Sequence, residues 1–271
     1  MEHQNKMAGL SSIERQLIDA LVASEKPVFT ANDVVAARKV SRPTANQILA
    51  RLRRKGWVRQ AKRGMYMPVP LGSSTPEPAI EDSWPLAANA FAPCYVSGWS
   101  AAEHWDLTEQ IFNAVCVVTA HSQRKAEQIL AGVTFRTRSI AKDRIFGTKT
   151  VWLKSQRVDV ADPHRLIIDI LDDPSLGGGS RQSLDIVTAY WKSKHADPAL
   201  LLEYAVRFDR GTVFKRLGYT AERLGITDHT WLDECRSHMS AGMSRLDPAG
   251  PDRGPLVTRW RLRVNVPFDE T

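Results

Sequence analysis

The residues of this chain best suited to chemistry lie between Ser41 and Gly64, and the chemistry they suit is recognition of nucleic acid. The side-chain amides of Asn46 and Gln47 can pair in bidentate fashion with adenine, and Arg51 or Arg54 can do the same with guanine. Arg42, together with Lys62 and Arg63 further on, suits phosphate oxygens, contacts that fix position without reading sequence. On a helical wheel Ala45, Ile48, Leu49 and Leu52 form one apolar stripe. Pro43, Gln47, Ala50 and Arg54 take the opposite face, flanked by Thr44, Asn46 and Arg51. Small Ala50 between longer polar side chains lets such a helix approach the floor of a groove. Charge is segregated in the same way. Residues 1–70 carry 13 Lys+Arg against 5 Asp+Glu, and the rest of the chain 24 against 25, so the whole excess of +7 sits in the first quarter. A basic head on a neutral body indicates a DNA-binding module carrying something else. A basic helix face used only for protein contact is the alternative, and the segregated charge weighs against it.

Other candidate chemistry is weaker. Gly177-Gly178-Gly179-Ser180-Arg181 has the small residues of a phosphate cradle but lacks the Lys-Ser/Thr of a P-loop. Asp169, Asp172 and Asp173 are close enough in sequence to share a cation, yet Asp169 lies within an apolar helix and Asp172-Asp173-Pro174 reads as a helix exit. No two histidines stand four apart with a glutamate between them, and no G-x-S-x-G occurs. Cys94, Cys116 and Cys235 form no C-x-x-C pair and read as buried free thiols. No enzyme activity, cofactor or metal is therefore expected. No run approaches the roughly 20 apolar residues of a membrane span, and the polar start has no signal-peptide stretch, so a cytoplasmic location without membrane contact is expected.

The elements that must position these residues can be read along the chain. A helix is expected over residues 12–23, a short one opened by a Thr30–Asp33 capping box through Ala37, and a third capped by Ser41 with Pro43 in its first turn and Gly56 at its end. Val58–Gln60 and Met65–Val69 alternate around a basic turn and make a two-strand wing. Residues 1–70 thus read as a winged helix-turn-helix. Residues 71–85 fall in a Pro-rich stretch expected to be a linker, and residues 86–271 read as a second, mixed domain. There, β-like segments at 115–120, 133–139, 151–153 and 158–160 precede a helix over 165–171 and three or four amphipathic helices over 183–240, which argues an α+β class. The chain is expected to end in a strand over 257–266, with Trp260, Leu262, Val264 and Val266 on one face and Arg259, Arg261 and Arg263 on the other. Those arginines either protect a sheet edge or form a face for an acidic partner. Trp99 and Trp105 are expected in the core.

Three segments of the body resemble AbiEi antitoxins: Tyr95 to Thr108, Val160 to Pro174 followed by Gly177-Gly178, and Arg259 to Asn265. The departure is Trp105-Asp106, where a His-Gly pair is commoner in that family. The resemblance implies a type IV toxin–antitoxin partner. Its winged helix would bind inverted repeats of double-stranded DNA in its own promoter and repress it. Its C-terminal domain would counter a separate nucleotidyltransferase toxin without a stable complex, with Arg259, Arg261 and Arg263 the candidate neutralising face. Asp162, Asp169 and the glycines read as cap, buried anchor and turn. Two rivals stand beside this reading. A ligand-responsive winged-helix repressor would need a deep apolar pocket in the body, and an enzyme with a DNA-targeting head would need a convergent acid or histidine cluster.

Overall fold

Local capping explains the first three helices. In the computed structural model, which describes residues 9–69, 82–226 and 228–268, α1 spans Ser12–Ala23. The Ser11 hydroxyl accepts the Glu14 N–H at 3.2 Å, and the Glu14 carboxylate accepts the Ser11 N–H at 2.9 Å. Strand β1 (Phe29–Thr30) leads into α2 (Ala31–Arg38), whose Asp33 accepts the Thr30 N–H at 2.7 Å. Ser41 caps α3 (Arg42–Arg54) with Pro43 in the first turn, where a missing N–H costs nothing. Strands β2 (Val58–Lys62) and β3 (Met65–Pro68) form the wing. The head sheet runs β1-β3-β2 and is antiparallel throughout. β1 is too short for alternation to reveal it. Leu17, Ile18, Phe29, Val34, Leu49 and Leu52 fill the head's core.

In the body, α4 (Ser83–Phe91) precedes a six-stranded mixed sheet. Its strands are β4 (Cys94–Val96), β5 (Ala114–Thr119), β6 (Glu127–Leu130), β7 (Val133–Ser139), β8 (Thr148–Leu153) and β9 (Gln156–Ala161), in the order β6-β7-β5-β4-β9-β8. The outer pairs β6–β7 and β8–β9 are antiparallel hairpins, while β5–β7 and β4–β9 are parallel. Between β4 and β5 lies α5 (Gly98–His104). The helical half comprises α6 (Pro163–Asp172), α7 (Ser180–Lys192), α8 (Pro198–Phe208), α9 (Gly211–Arg223) and α10 (His229–Ser237). α6 packs against α5, α7, α8 and α9, and Leu166, Ile167, Ile168 and Ile170 are all fully buried. Arg165 and Asp169 of the same helix are buried too, and a helix buried on nearly every side belongs at the centre of a fold. The class is α+β, as the sequence indicates.

Two expectations need correction. The Pro-rich stretch expected to be a linker lies mostly outside the described residues, but its end does not stay irregular. Ser83, Trp84 and Pro85 are the first turn of α4, capped by Asp82, and first-turn N–H groups have no intrahelical partner for a proline to remove. The terminal strand is also broken. Leu256–Val257 (β11) is followed by a 3-10 turn, Thr258–Trp260, then Arg261 in the left-handed region (φ 49°) and Leu262–Arg263 (β12). With Ser244–Arg245 (β10) these form a small sheet in the order β10-β12-β11. The turn places the Trp260 ring against Gly218 of α9, where a Cβ would lie 2.1 Å from the ring. Glu222 of the same helix accepts the indole N–H at 2.8 Å. Filling that gap outweighs the β-pattern of the segment.

Candidate nucleic-acid interface

The amphipathic pattern of α3 determines which side chains it presents. Ala45, Leu49 and Leu52 are fully buried against the head core, and Arg42, Thr44, Asn46, Gln47, Ala50 and Arg54 are exposed. Arg42 donates to the Asn32 side-chain oxygen at 3.0 Å, which links the start of α3 to α2. Thr44 shares a 2.8 Å hydroxyl contact with Ser41 at the cap. Arg53, on the edge of α3 nearest the wing, donates to Gln60 at 2.7 Å.

Arg51 is engaged within the head. Its Nε lies 2.9 Å from Glu14, and Lys55 donates to the other Glu14 oxygen at 2.7 Å. Glu14 therefore closes the α1 capping box and clamps α1 to α3. The Lys55 ammonium, with the Ser11 groups, overcomes the opposing effect of burial and holds the Glu14 carboxyl down at about 2. A depressed folded-state pKa gives stabilisation that is complete above the ordinary value of 4.5 and is lost as pH falls from there toward 2. Glu14→Gln is accordingly expected to lower head stability by about 1–3 kcal/mol at neutral pH and to flatten its acid dependence over that window. Thermal melts of both chains as a function of pH check this; parallel curves would contradict it.

Of the two wing cations, only Arg63 is exposed beside Gly64 at the tip, where φ is +80°. Lys62 is not presented as the sequence suggests. Its ammonium donates to the Ala90 carbonyl of α4 and lies 4.8 Å from the Phe91 ring centroid. The strand expected to align the three terminal arginines is interrupted, and each has its own partner. Arg259 pairs with Glu222 at 2.9 Å, Arg261 donates to the Ser240 carbonyl at 3.2 Å, and Arg263 pairs with Asp252 at 2.9 Å. The single strand face on which the sequence places them is therefore not formed.

Several other polar residues of the body tie its elements together. Asp162 caps α6, accepting the Arg165 N–H at 2.9 Å and the Tyr204 hydroxyl at 2.8 Å. Burial pushes the Asp162 carboxyl up, but His164 and these two donors outweigh it and leave it below the ordinary range. Asp169 accepts from Ser97 at 2.7 Å, from Tyr95 at 3.0 Å and from Arg165 Nε at 3.0 Å, while Arg165 also donates to the Tyr95 hydroxyl at 2.6 Å and the Arg144 carbonyl at 2.8 Å. Burial raises the Asp169 carboxyl, and Arg165, Ser97 and Tyr95 oppose it. Asp172 meets Arg138 and Arg210, each at 3.1 Å, and Asp173 meets Arg138 at 3.2 Å. Asp169 thus turns to Arg165 while Asp172 and Asp173 share Arg138, and among the described residues no group of three His, Cys, Asp or Glu could hold a metal ion. In the glycine loop, the Ser180 hydroxyl is buried away from solvent. Trp99 is buried and Trp105 half-buried, their indoles donating to the Ala114 and Ala161 carbonyls at 2.6 and 2.7 Å. Sequence reasoning missed Arg216, whose guanidinium covers the Leu171 and Asp172 carbonyls at the end of α6 and the Arg245 carbonyl beyond. No described helix is long and apolar enough to cross a membrane.

Three helices, a three-stranded wing sheet and an exposed polar helix face define a winged-helix head, here mounted on an α+β body. Residues 16–69 match a family described as "Transcriptional regulator, AbiEi antitoxin", the family that the body motifs resemble, and the match lies within the head. A comparison with curated proteins finds no match. Among solved structures, the chain is similar to the RV2827C protein from Mycobacterium tuberculosis, with a TM-score of 0.60 and 14% identity over 96% of this chain and 94% of that one. At that identity the likeness is one of fold.

Proposed function

We propose that the chain is an antitoxin-type autorepressor. Its head binds repeats of double-stranded DNA in its own promoter, and its body counteracts a nucleotidyltransferase toxin without a stable complex. The observation that carries the DNA reading is the solvent face of α3, where Asn46, Gln47 and Arg54 surround exposed Ala50. Arg42 and Arg63 serve as phosphate contacts on either side. Support for the toxin role is the resemblance of the three body segments to the antitoxin family, together with the family match of the head. The test is a gel-shift titration of the full chain, and of residues 71–271, on the chain's own upstream DNA at two salt concentrations. Salt-sensitive binding by the full chain, lost on removing the head, is the expected result. Absence of binding by either would make the head a protein- or RNA-contacting module. A second reading, a ligand-responsive repressor, draws on an open groove of about 370 Å³ in the body, walled by Pro255, Val257, Val264 and Phe268 and edged by the Glu222–Arg259 pair. It would be favoured if a small molecule released the DNA.

A further inference from the structure

A proline-rich stretch between two domains suggests a tethered head, but the head is docked. Val28 and Met67 of the head are buried in the same apolar cluster as Phe91, Leu86 and Val160 of the body, and Ala61 and Met65 pack against it. At a second point the Ser155 hydroxyl, in the β8–β9 turn, donates to the Glu25 carboxylate just after α1. Between these lies the end of α4, where the final carbonyls have no intrahelical partner and the following Pro93 has no N–H to offer. The Phe91 carbonyl is satisfied by the Thr119 hydroxyl at 2.7 Å. The Ala90 carbonyl is satisfied by the Lys62 ammonium.

We propose that Lys62 is a positioning residue that clamps the wing to the C-terminal end of α4, fixing the reading helix relative to the body and leaving the wing's phosphate contact to Arg63. A cation suits this place for three reasons. A helix C-terminus carries partial negative charge, the Phe91 face attracts an ammonium at 4.8 Å, and the lysine stem covers apolar surface. Burial pushes the Lys62 ammonium down, with Cys94 opposing, as fits a group withdrawn from water. Because α3 and the wing share one core, through Leu52 and Val58, a fixed wing means a fixed α3. The state of the body then reaches the reading helix through α4.

The functional consequence rests on the DNA-binding reading above, while the clamp itself does not, so the experiment measures them separately. Full-length Lys62→Met, which keeps the apolar stem, is compared with Lys62→Arg, Arg63→Ala and the parent. Amide hydrogen exchange without DNA is followed at residues 65–69 and 88–92, and binding to the upstream DNA is titrated across salt. Expected for Lys62→Met is several-fold faster exchange at both segments, restored by Lys62→Arg, with an unchanged salt slope. Arg63→Ala should keep the protection and lower the slope by about one. Unchanged exchange in Lys62→Met, or a drop in its slope equal to that of Arg63→Ala, overturns the proposal. Failure of the parent to bind DNA at low salt would defeat the DNA reading alone, since exchange still decides the clamp.

Discussion

Arg165→Met is expected to destabilise the body by about 3–5 kcal/mol, because it leaves the Asp169 carboxylate buried without its cation. Arg165 is fully buried, and its guanidinium makes three kinds of contact at once. It donates to Asp169 within α6, to the Tyr95 hydroxyl of β4, and to the Arg144 carbonyl before β8. The rings of Phe146 and Phe208 lie 4.6 and 4.8 Å from its carbon. One side chain therefore joins the central helix to the sheet, and the methionine stem replaces only the apolar part of that role. The double variant Arg165→Met with Asp169→Leu removes both charges and should recover much of the loss, since a buried pair is worth little more than well-packed apolar groups of the same volume. Denaturant unfolding of the three chains measures both effects. A single variant as stable as the parent, or a double variant worse than either single one, would show that the pair does not organise this core.

Arg54→Ala or Gln47→Ala is expected to cost roughly 1–3 kcal/mol of discrimination at one base pair, while Arg63→Ala weakens every sequence alike. The difference follows from position. Gln47 and Arg54 project from the exposed face of a rigid helix, whereas Arg63 sits at a loop tip suited to the backbone. Arg51→Ala should cost less discrimination than Arg54→Ala, because Arg51 is paired with Glu14 and would have to leave it to reach a base. Binding by this face should also fall steeply with salt. The two phosphate contacts, Arg42 and Arg63, would give a slope of about −1.8, roughly a tenfold loss between 50 and 200 mM. Competition titrations over single-base operator variants decide the matter. Altered preference in the Arg63 variant and none in the α3 variants would show that the wing, not the helix, reads the sequence.

Helix α3 could be recognised from the sequence because everything that makes it is local. Ser41 caps it, Pro43 fits its first turn, and the Ala45–Leu49–Leu52 spacing sets its buried face, so its exposed side chains follow by subtraction. The same holds for the Ser11–Glu14 box, for Asp162 at the start of α6, and for Asp169 as a buried anchor. The i,i+4 spacing of Arg165 and Asp169 in an apolar helix was a readable signal for their pairing, but Tyr95 and Ser97 reach the pair from over 70 residues away. Lys62 and the terminal arginines show the limit most directly. Their chemical types were right for nucleic acid or an acidic partner, and the alternation around Trp260 was that of a strand. What overrode these signals was tertiary: an open carbonyl at the end of α4 drew in Lys62, and the space over Gly218 drew in Trp260 and broke the strand. Sequence thus determined which residues are helical, capped and apolar, since backbone dihedrals and short-range hydrogen bonds depend on near neighbours. Which cations face solvent and which satisfy a distant backbone group was decided only when α4, α9 and the wing came together, because burial depends on elements far apart in the chain.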